Sequence, residues 1–198
     1  IRTLYKAEDI FENIDLPIYL KTVIGGIGIG FMAFVYPQVL GNGYESINAV
    51  MLDEMLWATA GALVLWKILA TSLTLGSGAS GGIFAPSLFL GAMAGGFLGH
   101  FFNALFPDIT ASAGAYALVG MAGVVGAATH APLTAILIIF ELTNEYQIIL
   151  PVMLTTIVAT VTAMAIQKES IYTLKLLRRG VDIFRGRDVN VLRTLKIG

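Results

Sequence analysis

Three long stretches of this chain contain no lysine, arginine, aspartate or glutamate: residues 68–107, 109–140 and 146–167. A charged side chain at the centre of a lipid bilayer costs a few kcal/mol or more, so such stretches are typical of membrane-spanning segments. The composition agrees, because 13% of the residues are charged, against about 25% in an average soluble domain. The sequence therefore predicts an all-α integral membrane protein with about six or seven helical segments.

The predicted apolar segments differ in length. They are residues 16–40, 56–75, 84–106, 112–128, 132–142 and 148–166. At a rise of about 1.5 Å per residue, segment 132–142 is too short to cross a hydrocarbon core of about 30 Å. Uneven segments interrupted by glycine and proline are typical of transporters with broken helices rather than of simple helical bundles.

The two ends of the chain are more polar than its middle. Residues 1–15 are mixed in charge and predict an aqueous loop, or the end of a preceding helix, with one or two helical turns. Residues 168–198 carry more basic than acidic side chains, which by the positive-inside rule places the C-terminus in the cytoplasm. We therefore expect a transmembrane domain at 16–180 and a cytoplasmic linker at 181–198.

Several classes of function are disfavoured by the composition. The chain has no cysteine, which excludes disulfides and thiol chemistry. A net charge of −1 gives no indication of nucleic-acid binding. We expect no metal site and no cofactor in this segment, and in the favoured interpretation no enzymatic activity. The chain begins with Ile1 and no signal peptide precedes its first apolar segment, so we expect it to be a piece of a longer protein.

Residues 76–86, with the sequence GSGASGGIFAP, form a glycine-rich loop that leads into a predicted helix. Gly81 and Gly82 let the chain turn and keep side chains away from an approaching ligand, and Pro86 favours the first helical turn. The amides of Ile83 and Phe84 then have no intrahelical acceptor and lie at the positive end of a helix dipole. This arrangement favours a small anion such as a halide, and the alternative is a plain packing turn.

A second interpretation of the same loop is enzymatic. Residues 78–81 match the GxSG pattern of rhomboid-like intramembrane proteases, with Ser80 as nucleophile and His130, or His100, as base. Its weakness is that His130 directly precedes a predicted helix start instead of lying within a spanning helix. A third possibility is a membrane fragment that does not transport on its own.

Tyr172 follows the last predicted span. A phenolic hydroxyl can donate a hydrogen bond to an anion without adding a charge. Tyrosines are also enriched at membrane interfaces, so on physical grounds alone Tyr172 is either an anion ligand or an interfacial residue.

The chain resembles the C-terminal half of the membrane domain of the CLC family of chloride channels and chloride–proton antiporters. Residues 82–86 match the family's GxFxP anion-site motif, and Tyr172 falls where the family places its pore tyrosine. Further family motifs follow in the expected order: Gly120-Met121-Ala122-Gly123, Ala131-Pro132-Leu133-Thr134, Glu141-Leu142-Thr143 and Pro151.

The resemblance implies one half of an inverted-repeat fold with tilted, broken helices. It implies chloride bound by the amides of Ile83 and Phe84 and by the Tyr172 hydroxyl, with Ser80, Gly81, Gly82 and Pro86 as the supporting loop. It further implies partnership with the N-terminal half and a homodimer formed through segments 132–142 and 148–166. The tail is similar to the linker into cytoplasmic CBS domains, which often bind adenine nucleotides.

The resemblance also shows what this segment lacks. The family's GSGIP and GREGP stretches, which carry a chloride-binding serine and a gating glutamate, have no match here, and neither does the internal proton glutamate. The residues that separate a channel from an antiporter are therefore expected in the other half. We also expect partial charges rather than a full positive charge to make the field of the site, because conduction requires that a bound ion can leave.

Overall fold

The computed structural model describes residues 2–144 and 146–178, and this part of the chain is helical without β-strands. Its α-helices, α1 to α9 in chain order, are Arg2–Glu12, Ile18–Val35, Tyr44–Met51, Trp57–Gly76, Phe84–Leu105, Ala113–Thr129, Pro132–Thr143, Ile149–Ile166 and Ile171–Arg178. One-turn 3-10 helices at Pro37–Val39 and Tyr146–Ile148 complete the described elements. The expected linker at 181–198 lies outside the described residues.

Four helical stretches of the described residues are long and apolar enough to cross a membrane. They are α2, α4, α5 and the stretch Tyr146–Arg178, which contains α8. By contrast, α6 has 17 residues and α7 has 12, and at about 1.5 Å per residue α7 is shorter than a bilayer core. The prediction of an all-α membrane fold with helices of uneven length is therefore confirmed.

Proline and serine explain where several helices begin. Pro132 is the first residue of α7, where its missing N–H costs no hydrogen bond. Pro86 and Pro151 lie in the first turns of α5 and α8. Ser112 precedes α6, and its hydroxyl accepts a hydrogen bond from the amide of Ala115.

Helix α5 is the centre of the described fold. It forms its most extensive contacts with α6 and also packs against α4 and α3. The crossing with α6 is so close that a Cβ added at Gly91 would lie 2.5 Å from the carbonyl oxygen of Gly120. Around this crossing Leu88, Phe89 and Met93 are among the largest fully buried side chains. Small residues that let two backbones approach are a common means of helix association in membranes.

Residues 1–15 differ from the expectation of one or two helical turns in an aqueous segment. Helix α1 has three turns and packs along α4, with Tyr5 and Phe11 buried. Its charged side chains Lys6, Glu8, Asp9 and Glu12 stay exposed or half-buried, and the segment is amphipathic. The expectation missed this because it weighed the number of charges rather than their spacing.

Candidate functional site

The glycine-rich loop begins at the C-terminus of α4, where a glycine caps the helix. Gly78 adopts a left-handed backbone with φ of 82°, and its amide donates to the carbonyl of Leu75 at 3.2 Å. The amide of Ala79 donates to the carbonyl of Thr74, also at 3.2 Å. This pair of bonds is the Schellman arrangement that ends many helices at a glycine. The carbonyls of Thr74 and Leu75, near the end of α4, are thereby satisfied within the protein.

The loop ends at the N-terminus of α5, where the first amides have no intrahelical acceptor. The first backbone hydrogen bond of α5 runs from the amide of Ser87 to the carbonyl of Ile83, at 3.0 Å, and the Ser87 hydroxyl donates to the same carbonyl at 2.8 Å. Among the described residues, the amides of Ile83, Phe84 and Ala85 have no acceptor. Pro86 has no N–H to add. These three donors lie at the positive end of the α5 dipole and are available to an anion.

A cavity of about 360 Å³ lies beside the loop. It is bounded by the loop and the start of α5, by one face of α4, by the turn after the 3-10 helix Pro37–Val39, and by a side chain of α2. Its lining residues are Ile29, Val39, Leu40, Gly41, Asn42, Lys67, Ala70, Thr71, Thr74, Leu75, Ser80, Gly81, Gly82, Ala85 and Pro86. Gly82 faces open space, since a Cβ added there would meet no atom within 4 Å. The supporting loop predicted from the sequence therefore lies at this cavity.

Lys67 puts a full positive charge on the cavity wall. Its side chain is only 3% exposed, and its ammonium group donates to the carbonyls of Val39 and Gly41, both at 2.8 Å. The ammonium nitrogen also lies 4.7 Å from the centre of the Phe89 ring. This role could not be predicted from the sequence, because the carbonyls belong to a turn far away in the chain. We expected partial charges rather than a full positive charge to make the field of the site. The Lys67 ammonium also lines the cavity, although two of its three N–H donors are bound to carbonyls.

Tyr172 lies apart from this cavity in the described structure. It is the second residue of α9, is 47% exposed, and does not line the cavity. Within the described residues its hydroxyl forms no hydrogen bond. The structure thus leaves the hydroxyl available but does not bring it to the helix start, and its role as a ligand stays a prediction.

The residues of the protease alternative are not assembled. Ser80 lines the cavity, whereas neither histidine does. His130 ends α6 in a left-handed conformation with φ of 57°. His100, near the other end of α5, lies 3.2 Å from the carboxylate of Asp53. A serine nucleophile needs a base within hydrogen-bond reach, and no such contact with Ser80 exists among the described residues.

Comparison with known proteins decides the family. A family model described as voltage gated chloride channel matches residues 1–164. The chain belongs to the voltage-gated chloride channel family. The membership gives no support to the protease alternative.

Individual members of the voltage-gated chloride channel family are similar over most of this chain. A ClcB-like chloride channel protein of Ralstonia nicotianae is 40% identical over 180 residues, which are 91% of this chain and 42% of that protein. The voltage-gated ClC-type chloride channel ClcB of Salmonella typhimurium is 37% identical over 166 residues, 84% of this chain and 40% of that protein. The chain thus spans less than half the length of these relatives.

A solved family structure has the same architecture. The crystal structure of a slow cyanobacterial Cl⁻/H⁺ antiporter superposes with a TM-score of 0.81 at 32% sequence identity. The match covers 90% of this chain and 42% of that one. The helical arrangement described above is therefore that of a part of the family's membrane domain.

Proposed function

We propose that this chain is the C-terminal half of the membrane domain of a chloride transporter, and that it is not an enzyme. The observation that carries the proposal is the start of α5. There, three amides that have no acceptor among the described residues follow a glycine-rich loop, in a member of the voltage-gated chloride channel family. Preorganised N–H groups at a helix N-terminus bind an anion without a permanent charge, so the anion can also leave.

In this proposal chloride is held by the amides of Ile83 and Phe84 and by the hydroxyl of Tyr172. Lys67 supports the same site from a distance. Its charge raises the local anion concentration in the cavity, while its bonds to two carbonyls keep it from closing on the ion.

The N-terminal half of the same protein supplies the rest of the anion's shell. The loop amides cover only part of an ion's surroundings, and the cavity beside them is not fully enclosed. Helix α2 also leaves large apolar side chains uncovered, including Ile24, Ile27, Phe31 and Phe34. Lipid or the other half of the protein is the natural cover for such a face.

We further propose a homodimer through segments 132–142 and 148–166, which the structure forms as α7 and α8. Both helices expose large apolar side chains, among them Leu133, Leu137, Leu150, Leu154 and Val161. This chain has no cysteine, so single cysteines at Leu154 and, as a control, at Phe34 would report the contact in a full-length protein whose other half has been made cysteine-free. We expect a cross-linked dimer from the Leu154 variant only.

The C-terminus is proposed to lie in the cytoplasm, followed by CBS domains that bind an adenine nucleotide. The basic excess after α8 supports this orientation, because positively charged segments are retained on the cytoplasmic side. A proteolysis-accessible tag placed after residue 198 should be cut from the cytoplasmic side only.

The anion site is tested in the full-length protein by removing one donor at a time. Tyr172→Phe deletes the hydroxyl, with Tyr19→Phe, at a residue that is 69% exposed on α2, as the matched control. Replacing Phe84 by its α-hydroxy acid analogue turns the amide into an ester and deletes the N–H. The same replacement at Phe101, on the far part of α5, is the control.

Chloride binding is measured by calorimetry, and chloride flux and chloride-to-nitrate selectivity are measured in liposomes. A hydrogen bond to a charged group contributes about 1.5–3 kcal/mol, so each test variant should weaken chloride binding roughly 10- to 150-fold. The two controls should leave the affinity within about twofold. Unchanged affinity and selectivity in both test variants would show that the site assignment is wrong.

A further inference from the structure

Helices α1 and α9 come from opposite ends of the described chain and are joined by polar contacts. The hydroxyl of Tyr5 donates to the carbonyl of Ile171 at 3.1 Å. The guanidinium of Arg178 donates to both carboxylate oxygens of Asp9, at 2.7 and 3.4 Å. The same guanidinium lies 4.4 Å from the centre of the Tyr5 ring. We call Tyr5, Asp9 and Arg178 the clamp.

The Tyr5 bond is the contact of the clamp that is shielded from water. Tyr5 is 3% exposed and Ile171 is also buried, so their hydrogen bond does not compete with solvent. The ion pair is more exposed, and a surface pair alone is worth little. The bidentate geometry of the Asp9–Arg178 pair and the Tyr5 ring against the guanidinium restrict where the end of α9 can lie.

The clamp acts on the first turn of α9. Ile171 is the first residue of that helix and Tyr172 is the second. On the other side of the same turn, the Ser170 hydroxyl accepts a hydrogen bond from the amide of Thr173 at 3.2 Å. The backbone on both sides of Tyr172 is therefore held by specific bonds, whereas the Tyr172 side chain itself is left unbonded within the described residues.

We propose that Tyr5, Asp9 and Arg178 are positioning residues that fix the Tyr172 hydroxyl relative to the transported anion. The proposal rests on the proposed function, in which Tyr172 is a ligand. The buried Tyr5 bond sets the position of the first turn of α9, and the Asp9–Arg178 pair sets the direction of the helix. Loosening either contact lets the hydroxyl move, so chloride loses part of its shell without any change at the α5 loop.

A matched control is present on the same two helices. Glu8 and Lys175 approach to 3.7 Å, which is a longer contact than that of Asp9 and Arg178, and Lys175 makes no contact with the Tyr5 ring. A merely stabilising role of ionic contacts between α1 and α9 would make the effect of each pair on chloride affinity follow its effect on thermal stability. A positioning role predicts that Asp9→Asn has a clear effect on anion binding and that Glu8→Gln has little.

The test uses the full-length protein in liposomes, with chloride affinity and chloride-to-nitrate selectivity as readouts and thermal stability measured in parallel. We expect Tyr5→Phe and Asp9→Asn each to weaken chloride affinity about twofold to tenfold, which is less than the loss expected for removal of the Tyr172 hydroxyl itself. The charge exchange Asp9→Arg with Arg178→Asp should restore much of the loss seen in the single variants. Equal effects of Asp9→Asn and Glu8→Gln, or a change in stability alone, would overturn the positioning role.

A double-mutant cycle separates this inference from the proposed function. In a Tyr172→Phe background, Tyr5→Phe should have no further effect on chloride affinity, because the hydroxyl that it positions is gone. The same loss in both backgrounds would show that the clamp does not act through Tyr172. If Tyr172→Phe has no effect by itself, the ligand assignment fails first. If it has an effect and the clamp variants have none, only the present inference fails.

Discussion

The close crossing of α5 and α6 makes Gly91 a position where one added methyl group should be costly. A Cβ at Gly91 would lie 2.5 Å from the carbonyl oxygen of Gly120 and 2.6 Å from the Cα of Met121. Both neighbours are backbone atoms in the middle of a helix, so no side chain can rotate away. A Gly91→Ala variant can be accommodated only if the two helices separate.

The size of the effect follows from these distances. Ordinary contact begins at 3.4 Å, so the helices must move apart by about 0.9 Å, the difference between 3.4 and 2.5 Å. Overpacking of this kind costs about 1–3 kcal/mol. Alanine is favoured over glycine inside a helix by about 1 kcal/mol, which offsets part of the loss. Gly123→Ala on α6 is the control, because its Cβ would meet only side chains, the nearest being Cγ2 of Thr155 at 3.3 Å.

The comparison of the two variants isolates the steric cost, because the gain in helix propensity is common to both. We expect Gly91→Ala to be less stable than Gly123→Ala by about 1–3 kcal/mol. In thermal unfolding of the detergent-solubilised full-length protein, this should lower the midpoint by at least about 2 °C. If the thermal midpoint of Gly91→Ala equals or exceeds that of Gly123→Ala, the reasoning from the close crossing is refuted.

Three further predictions concern other parts of the described fold. Lys67→Met should lower stability by roughly 1–3 kcal/mol, because the buried carbonyl of Val39 and the partly buried carbonyl of Gly41 lose their donor, and Lys67→Arg should lower it less in the same thermal assay. Burial, and to a smaller extent a neighbouring carboxylate, raises the pKa of Tyr5 above 10.0. The stability that this neutral phenol contributes is thus fully present below about pH 10 and lost as the pH rises through the raised value, so Tyr5→Phe should reduce the alkaline decline in thermal midpoint. Gly43→Ala should be destabilising because φ is 75° and a Cβ would collide with the Phe89 ring, whereas Gly41→Ala, with φ of 62° and open space, should suffer only the backbone strain, as chemical denaturation would show.

The helices could largely be predicted from the sequence because membrane segments have simple local signals. The segment expected at 84–106 is the helix Phe84–Leu105, and the one expected at 132–142 is Pro132–Thr143. Proline, glycine and the limits of the uncharged runs mark their ends, and these marks are read within a few residues. The segment at 1–15 was described less well, since its burial depends on α4, more than forty residues later in the chain.

The contacts around the site could not be predicted in the same way. Lys67 lies in the middle of α4, and its carbonyl partners at Val39 and Gly41 depend on how a distant turn folds back. The bond between Tyr5 and Ile171 joins residues 166 positions apart. Periodicity and turn signals describe neighbours in the chain, whereas these contacts are set by helix packing, so the sequence gives no signal for them.

Helix α5 connects the packed core of the described fold with the candidate site. Its first residues carry the unpaired amides, Gly91 lies at the crossing with α6, and Phe89 lies between Gly43 and the ammonium of Lys67. Because α5 is a continuous helix, a displacement at the crossing moves its N-terminus as well. A separation of about 0.9 Å at Gly91 is comparable with the precision that a binding site of preorganised donors requires. Gly91→Ala should therefore weaken chloride binding as well as stability, and Gly123→Ala should change neither by much.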